Sequence, residues 1–343
     1  MEIKQNTLYL TTPGLYVSRD HLTLQVEQER EVKLVIPIHH LESLCIFGPI
    51  SISPPALELC WENGISVNYF SEFGYFLGRW EGVPNTSVLL RREQYRIADN
   101  KEKIATIAKQ CVAGKIQNCR QSLLRSARET ASYEEKEKLQ ACAEDLAGIL
   151  RRLEVCNDID QIRGHEGQAA NFYFGVFDLH LRQQREDFQF KVRSRRPPKD
   201  AINCLLSYLY ALILHDSIAA LTATGLDPFV GYLHADRPNR PGLALDLMEE
   251  FRPLLADRLA ITMINRRQIG NADFLFREGG AVELSSGARK DLLAAYQTRK
   301  QDTITHPLLD QEFRIGQLFL AQARIFARHL RGDIPQYLPC ILK

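Results

Sequence analysis

No excess of charge of either sign marks this 343-residue chain: 43 lysines and arginines against 42 aspartates and glutamates leave a formal net charge of +1. A global basic field is therefore excluded as the means of holding nucleic acid, and any anion-binding surface must come from local clustering. Paired-thiol motifs are also missing. The eight cysteines, Cys45, Cys60, Cys111, Cys119, Cys142, Cys156, Cys204 and Cys340, include no C-x-x-C pair. Most fall at apolar positions of periodic segments, which predicts reduced core residues of a cytosolic protein rather than disulfides. Long apolar runs are absent too. The longest, Ala201 to Leu214, contains Asn203 and stops at His215-Asp216; it is too short to span a bilayer and is expected as a buried core helix, with no membrane partner. "MEIKQNTLYL" has no basic region followed by an apolar run, so no signal peptide is expected and the location predicted is cytoplasmic. No internal repeat and no low-complexity segment interrupts the chain.

What is present is an ordinary soluble composition, 45% hydrophobic and 25% charged, with length enough for two domains. The first eighty-odd residues read as β-rich. "TLYL", "HLTLQV", "EVKLVIPI" and "GISVNYF" alternate or form short β-branched runs. One helix interrupts them: Ser53 can cap it, Pro54 and Pro55 suit its first turn, and Asn63-Gly64 can end it. "SEFGYFLGRW" reads as a hairpin and "EGVPNTS" as a linker. From about Ser87 the period becomes helical. Ile104, Ile107, Ala108, Cys111, Val112, Ile116 and Cys119 form one stripe, and Leu139, Cys142, Leu146, Ile149 and Leu153 another. Asn157 is the expected N-cap of the next helix, Asp200 to Thr224 a buried one, and further helices are predicted at 253–269, 287–301 and 308–331, with a small hairpin around "FLFREGGAVEL". The expectation is an α+β chain: a small N-terminal β-rich domain, 1–86, then a larger all-α catalytic domain, 87–343.

Four stretches carry candidate chemistry. In "GYLHADRPNRPGLALDLMEEFRP", His234 precedes a turn and a helix bearing Asp246, Glu249 and Glu250. Asp246 can share a ligand with Glu249 at i, i+3 or with Glu250 at i, i+4, and spacing does not choose between them. A solvated acidic face near a helix start explains the same residues. Histidine with carboxylates suits Mg²⁺ or Mn²⁺. In "RGHEGQAANFYF", Glu166 is flanked by Gly164, Gly167, Ala169 and Ala170. Glycine costs a helix about 0.8–1 kcal/mol against alanine, so either tight helix packing or close approach of a ligand is implied. "KVRSRRPPKD" concentrates Arg193, Arg195, Arg196 and Lys199 in a loop that can neutralise phosphates, and Arg252, Arg266, Arg267, Arg289 and Lys290 would extend it if the fold gathers them. The tail "IPQYLPCILK" is apolar and broken by two prolines; it either straps its own domain or docks on a partner.

Taken together and in order, "RGHEGQAANFYF", "RSRRPPKDAINCLLSYLYALIL" and "GYLHADRPNRPGLALDLMEEFRP" resemble the CRISPR spacer-acquisition endonuclease, the universal integrase of bacterial and archaeal adaptive immunity, with a texture similar to type I systems. The resemblance covers nearly the whole chain. It implies that Glu166, His234 and Glu249 are the catalytic metal ligands for Mg²⁺ or Mn²⁺, with Asp246 in support and Glu250 left to the solvated side. It further implies transfer of spacer DNA into a repeat array from a 3′-hydroxyl, a homodimer formed through the N-terminal domain, a small second adaptation protein and an accessory nuclease. Arg193, Arg195, Arg196, Lys199 and Arg252 are the expected DNA contacts. Two other functions fit the residues: a metal-dependent repair nuclease without integration, and a non-catalytic DNA-binding scaffold.

Overall fold

The computed structural model describes residues 2–4, 7–41, 43–72, 76–80 and 88–341. The chain divides into two compact units, Met1–Asn85 and Thr86–Lys343. The linker expected at "EGVPNTS" lies outside the described residues.

The first unit carries β1 (Glu2–Lys4), β2 (Thr7–Leu10), β3 (Tyr16–Asp20), β4 (Thr23–Gln28), β5 (Glu31–Pro37), β6 (Ser43–Phe47), β7 (Ser51–Ile52), α1 (Pro54–Glu62), β8 (Ser66–Phe70) and β9 (Phe76–Trp80). One sheet runs β1-β2-β6-β8-β9, with β2, β6 and β8 parallel; the other runs β5-β4-β3-β7. The inward residues of both, among them Leu8, Leu10, Val17, Leu24, Val26, Leu44, Ile46 and Val67, share one core with Ala56, Leu59 and Cys60 of α1. The predicted cap of α1 is present: Ser53 Oγ accepts from the Ala56 N–H at 3.3 Å, and Gly64 ends the helix at φ +69°.

The second unit is mostly helical. Its elements are α2 (Val88–Ala98), α3 (Lys101–Glu129), α4 (Tyr133–Glu154), α5 (Ile159–Gly175), α6 (Ala201–Ala223), α7 (Gly242–Met248), α8 (Arg258–Asn265), β10 (Phe274–Phe276), β11 (Val282–Leu284), α9 (Ser286–Gln301), β12 (Thr303–Thr305), β13 (Glu312–Arg314) and α10 (Ile315–Leu330). Asn100, Ser132, Asp158 and Asp200 cap α3, α4, α5 and α6 with side-chain acceptors, so the cap of α5 is one residue later than expected. By length and composition α6 could cross a membrane, but two-thirds of its most apolar window is buried inside the protein, as a core helix is.

Two expectations for this unit need correction. The hairpin expected around "FLFREGGAVEL" is present as β10-β11, and a second, β12-β13, was not expected, so the unit is mostly helical rather than all-α. The helix expected at 308–331 starts only at Ile315. The reason is His306, fully buried, whose Nδ1 accepts the N–H groups of Leu308 and Leu309 at 3.2 Å and holds a turn there. Its Nε2 lies 2.9 Å from Gln322 Oε1.

Candidate metal centre and nucleic-acid surface

Four segments of the second unit meet at the centre of the candidate site. The first is α3, a 29-residue helix. Its apolar stripe contains one cation: Lys115, 7% exposed, one turn beyond Cys111 and one turn before Cys119. The second is α5, which brings Glu166. The third is the loop from Gly231 to Pro241, and the fourth is α7 with the turn after it.

The loop and α7 are tied by Asp246. Its Oδ2 accepts the backbone N–H groups of Tyr232 and Leu233 at 2.6 and 3.0 Å, and its Oδ1 accepts that of His234 at 3.0 Å. The same Oδ1 lies 2.7 Å from His234 Nδ1. A carboxylate can only accept, so Nδ1 carries the proton and Nε2 keeps its lone pair for another partner. The loop closes on itself at two glycines. A Cβ on Gly231 would stand 2.6 Å from the His234 carbonyl oxygen, and one on Gly242 2.9 Å from the Gly231 nitrogen. Only residues without a side chain allow that approach. Arg163, one turn before Glu166 on α5, donates from Nε to the Leu233 carbonyl at 2.9 Å, which fixes α5 beside His234.

Lys115 joins the acidic members. Its ammonium pairs with Glu166 Oε1 and, at 2.7 Å, with Glu249 Oε2. Arg252 completes the set at 3.1 Å from Glu249 Oε1. Burial alone would push Glu249 up, but Arg252 and Lys115 outweigh it and hold this carboxyl well below the usual range. Burial likewise opposes the Lys115 charge, and Glu249 and Glu166 overcome it, so the ammonium sits above the ordinary lysine value. Sequence reasoning missed Lys115. The available signal was a lysine at a stripe position of a helix otherwise apolar on that side.

Glu250 corrects an expectation. Its sequence position suggests the solvated side of the helix, yet Asp246, Glu249 and Glu250 are all at most 2% exposed. There is no solvated acidic face here, because the segment after α7 runs between α3 and the C-terminal strap. Glu250 Oε1 accepts from Gln322 Nε2 at 3.0 Å and Tyr337 Oη at 2.9 Å, and its Oε2 from the Cys340 N–H at 2.9 Å. Asn118, one turn beyond Lys115, donates to the carbonyls of Glu250 and Cys340 at 2.9 and 2.8 Å. A Cβ on Gly114 would meet Pro339 at 2.5 Å. The tail is thus a strap on its own unit, packed on α3 and on Glu250.

The glycines around Glu166 are not explained by tight packing. A Cβ at Gly164 or Gly167 would meet nothing within 4 Å. Further along α5, at Ala169, Ala170 and Tyr173, opens a cleft with about 20 Å³ of free space, lined also by Lys115, Arg195, Tyr210, Arg252 and Asp257. Asp257 accepts the hydroxyls of Tyr210 and Tyr173 at 2.7 and 3.1 Å, and burial pushes its carboxyl up to about 6.

The basic loop splits. Arg195, Arg196 and Lys199 are exposed. Arg193 is turned inward: it donates to Asn203 Oδ1 at 2.6 Å and Ser207 Oγ at 3.2 Å, and lies 5.3 Å from the centre of the Tyr210 ring. Arg252 is also held inside, by Glu249 and by the Tyr210 ring, whose centre is 4.8 Å away. Asn203 and Tyr210 lie on α6, so the loop is anchored to the core helix by the arginine expected to face DNA.

Among the described residues no three histidine, cysteine or carboxylate side chains are already grouped as a metal cage. The donor set nonetheless fits a hard divalent ion. Two carboxylates converge on one cationic group, the Lys115 ammonium, which stands where an ion would neutralise both. Glu249 Oε2 meets the Lys115 ammonium at 2.7 Å, and His234 is oriented through Nδ1 by Asp246.

The family described as CRISPR associated protein Cas1 matches residues 8–298. The chain is 47% identical over 339 residues to CRISPR-associated endonuclease Cas1 1 of Moorella thermoacetica, covering 99% of each, and 45% identical over 336 residues to CRISPR-associated endonuclease Cas1 1 of Chlorobaculum tepidum, covering 98% of each. Among solved structures it is similar to a chain of a Cas6-RT-Cas1–Cas2 complex, with a TM-score of 0.82 and 25% identity, over 100% of this chain and 37% of that one. A casposase bound to integration product shares the fold, with a TM-score of 0.83 and 21% identity over 98% and 93% of the two chains. The chain belongs to the CRISPR associated protein Cas1 family.

Proposed function

We propose that this chain is a divalent-metal-dependent DNA endonuclease and integrase that inserts spacer DNA into a CRISPR repeat array by strand transfer from a 3′-hydroxyl. The observation that carries the reading is the convergence of Glu166 and Glu249 on one buried cation beside an imidazole fixed by Asp246. The endonuclease names of relatives at 45–47% identity support the same chemistry.

Glu166, Glu249 and His234 Nε2 would hold Mg²⁺ or Mn²⁺. Such an ion, when bound, polarises a phosphodiester and stabilises charge on its oxygens. The chain's own residues do the remaining work. Asp246 keeps the His234 lone pair directed and the loop closed. Arg252 holds Glu249 ionised. The open surface at Gly164 and Gly167 lets a DNA backbone approach Glu166 without meeting a side chain. Arg195, Arg196 and Lys199 neutralise phosphates nearby. A 3′-hydroxyl as nucleophile gives transfer, and water gives cleavage. A homodimer, a small second adaptation protein and an accessory nuclease complete the assembly we propose; the complex named Cas6-RT-Cas1–Cas2 supports the second of these.

The test uses a labelled donor and a repeat-bearing plasmid, with Mn²⁺ or with EDTA. Wild-type protein joins a donor with a free 3′-hydroxyl and not one ending in a dideoxynucleotide. Glu166→Ala joins neither, while its DNA affinity at fixed salt stays near that of wild type. Nicking without joining would leave a repair-type nuclease, and full joining by Glu166→Ala would refute the site.

A further inference from the structure

We propose that Lys115 is a resident counter-ion of the metal centre, an intramolecular ammonium that occupies the place between Glu166 and Glu249 and must leave it when the divalent ion enters. This rests on the metal reading above and adds a positioning residue to it.

The argument starts from burial. Glu249 is 2% exposed, and Lys115 7%. Glu166 keeps 27% of its side chain exposed, so the two carboxylates face each other at the edge of a buried site, where they repel unless a cation stands between them. Lys115 removes that conflict, pairing with both. Arg252 cannot replace it, because its guanidinium lies on the other oxygen of Glu249 and against the Tyr210 ring. Geometry makes the ammonium and a divalent ion mutually exclusive. Both would take the same Glu166 and Glu249 oxygens, and an ammonium beside a dication in a buried site is repelled strongly. This also explains why the described donors form no ready metal cage: the ammonium is standing between two of them. Room to leave exists. Lys115 itself lines the adjoining cleft, whose free space of about 20 Å³ is enough for a water-sized group. Asp257 is a carboxylate on that cleft, with Arg195 and Arg252 also on its wall.

The bridging ammonium acts in two ways. Metal affinity is set below what the donor set alone would give, because the ammonium competes. The metal-free site stays folded, because the carboxylates are already paired. Removing the amine while keeping the chain length should therefore tighten metal binding while loosening the metal-free protein, two effects of opposite sign that loss of structure alone does not produce.

The experiment titrates full-length wild type, Lys115→Met, Lys115→Arg and Glu249→Gln with Mn²⁺ at pH 8, reading free Mn²⁺ by electron paramagnetic resonance, with no DNA present. The expected result is a Kd for Lys115→Met lower than wild type by about tenfold or more, Lys115→Arg no tighter than wild type, and Glu249→Gln much weaker. If Glu249→Gln loses Mn²⁺ but Lys115→Met binds no tighter than wild type, the counter-ion role is refuted and the metal centre stands. If wild type and Glu249→Gln bind Mn²⁺ alike, the metal centre fails and this inference with it. A crystal of the wild-type protein soaked in Mn²⁺ decides the matter even if Lys115→Met does not fold. Nζ displaced from both carboxylates supports the role, and Nζ still bridging them overturns it.

Discussion

Glu249 and Glu250 are adjacent in the chain and equally buried, yet their carboxylates serve opposite sides of the segment after α7. Glu249 is held by the cations Lys115 and Arg252, whereas Glu250 is held by three neutral donors from α10 and the C-terminal strap. One residue of separation on a helix turns a side chain by about 100°, enough to send one carboxylate to the cations Lys115 and Arg252 and the other to the strap.

The first prediction comes from that division. Glu250→Ala should lower stability by about 2–5 kcal/mol, because it leaves Tyr337, Gln322 and the Cys340 N–H without their shared acceptor. Urea unfolding followed by circular dichroism measures it. A loss below about 0.5 kcal/mol would mean the strap is not anchored there.

Glu250 also predicts a pH dependence. Burial pushes its carboxyl from 4.5 up to about 7, against the pull of its three hydrogen bonds. A group whose folded value is raised binds its proton more tightly in the folded state. Its contribution is therefore greatest below pH 4.5 and declines as pH rises through 7. Between pH 6 and 8 the urea midpoint of wild type should fall. Glu250→Gln should show a flatter profile over that interval, and an equally steep one would assign the dependence to another group.

Asp246→Asn should do more damage than its size suggests. An amide at this place offers one acceptor where two oxygens now receive three backbone N–H groups and face His234 Nδ1. Stability should drop by about 1–3 kcal/mol. The His234 tautomer should also lose its preference, which ¹⁵N chemical shifts of the imidazole report directly. Unchanged ring shifts would remove Asp246 from the role of orienting His234.

The basic loop should separate into two classes. Replacing Arg195, Arg196 and Lys199 by alanine should weaken duplex DNA binding and reduce the log–log salt slope by roughly 0.9 for each phosphate no longer neutralised. Arg193→Ala should instead destabilise the fold, since Asn203 and Ser207 lose their donor. A slope changed by Arg193→Ala with stability intact would reverse the assignment.

Gly114→Ala probes the strap from the other side. The new methyl would meet Pro339 at 2.5 Å, so the tail must shift or strain, at about 1–3 kcal/mol. Faster cleavage by carboxypeptidase or trypsin near the C-terminus should accompany the loss. Wild-type resistance would show that the strap accommodates the methyl.

Much of the architecture is legible in the sequence. Ser53 with Pro54 and Pro55, Asp200 before α6, and the two stripes of α3 and α4 are signals read within a few residues of where they act. The α+β organisation follows from a change of period near residue 87. Local signals mislead where burial outweighs them. A buried histidine delays the start of α10, and the acids after α7 are buried although a helix start favours them in solvent.

The candidate site divides along the same line. Residue types and order in the motifs at Glu166, His234 and Asp246–Glu249 are enough to name the family they resemble, while spacing leaves Glu249 and Glu250 unseparated as partners of Asp246. What the sequence determined by itself is that family resemblance, together with the elements that carry the motifs, because caps, periods and motif spacing are properties of neighbouring residues. Only the tertiary structure decided which charges meet. Lys115 finds Glu166 across 51 positions, and Cys340 finds Glu250 across 90. A buried charge is tolerated only if a partner reaches it, and that partner is chosen by how α3, α5, α7 and the strap pack, not by anything written beside it in the chain.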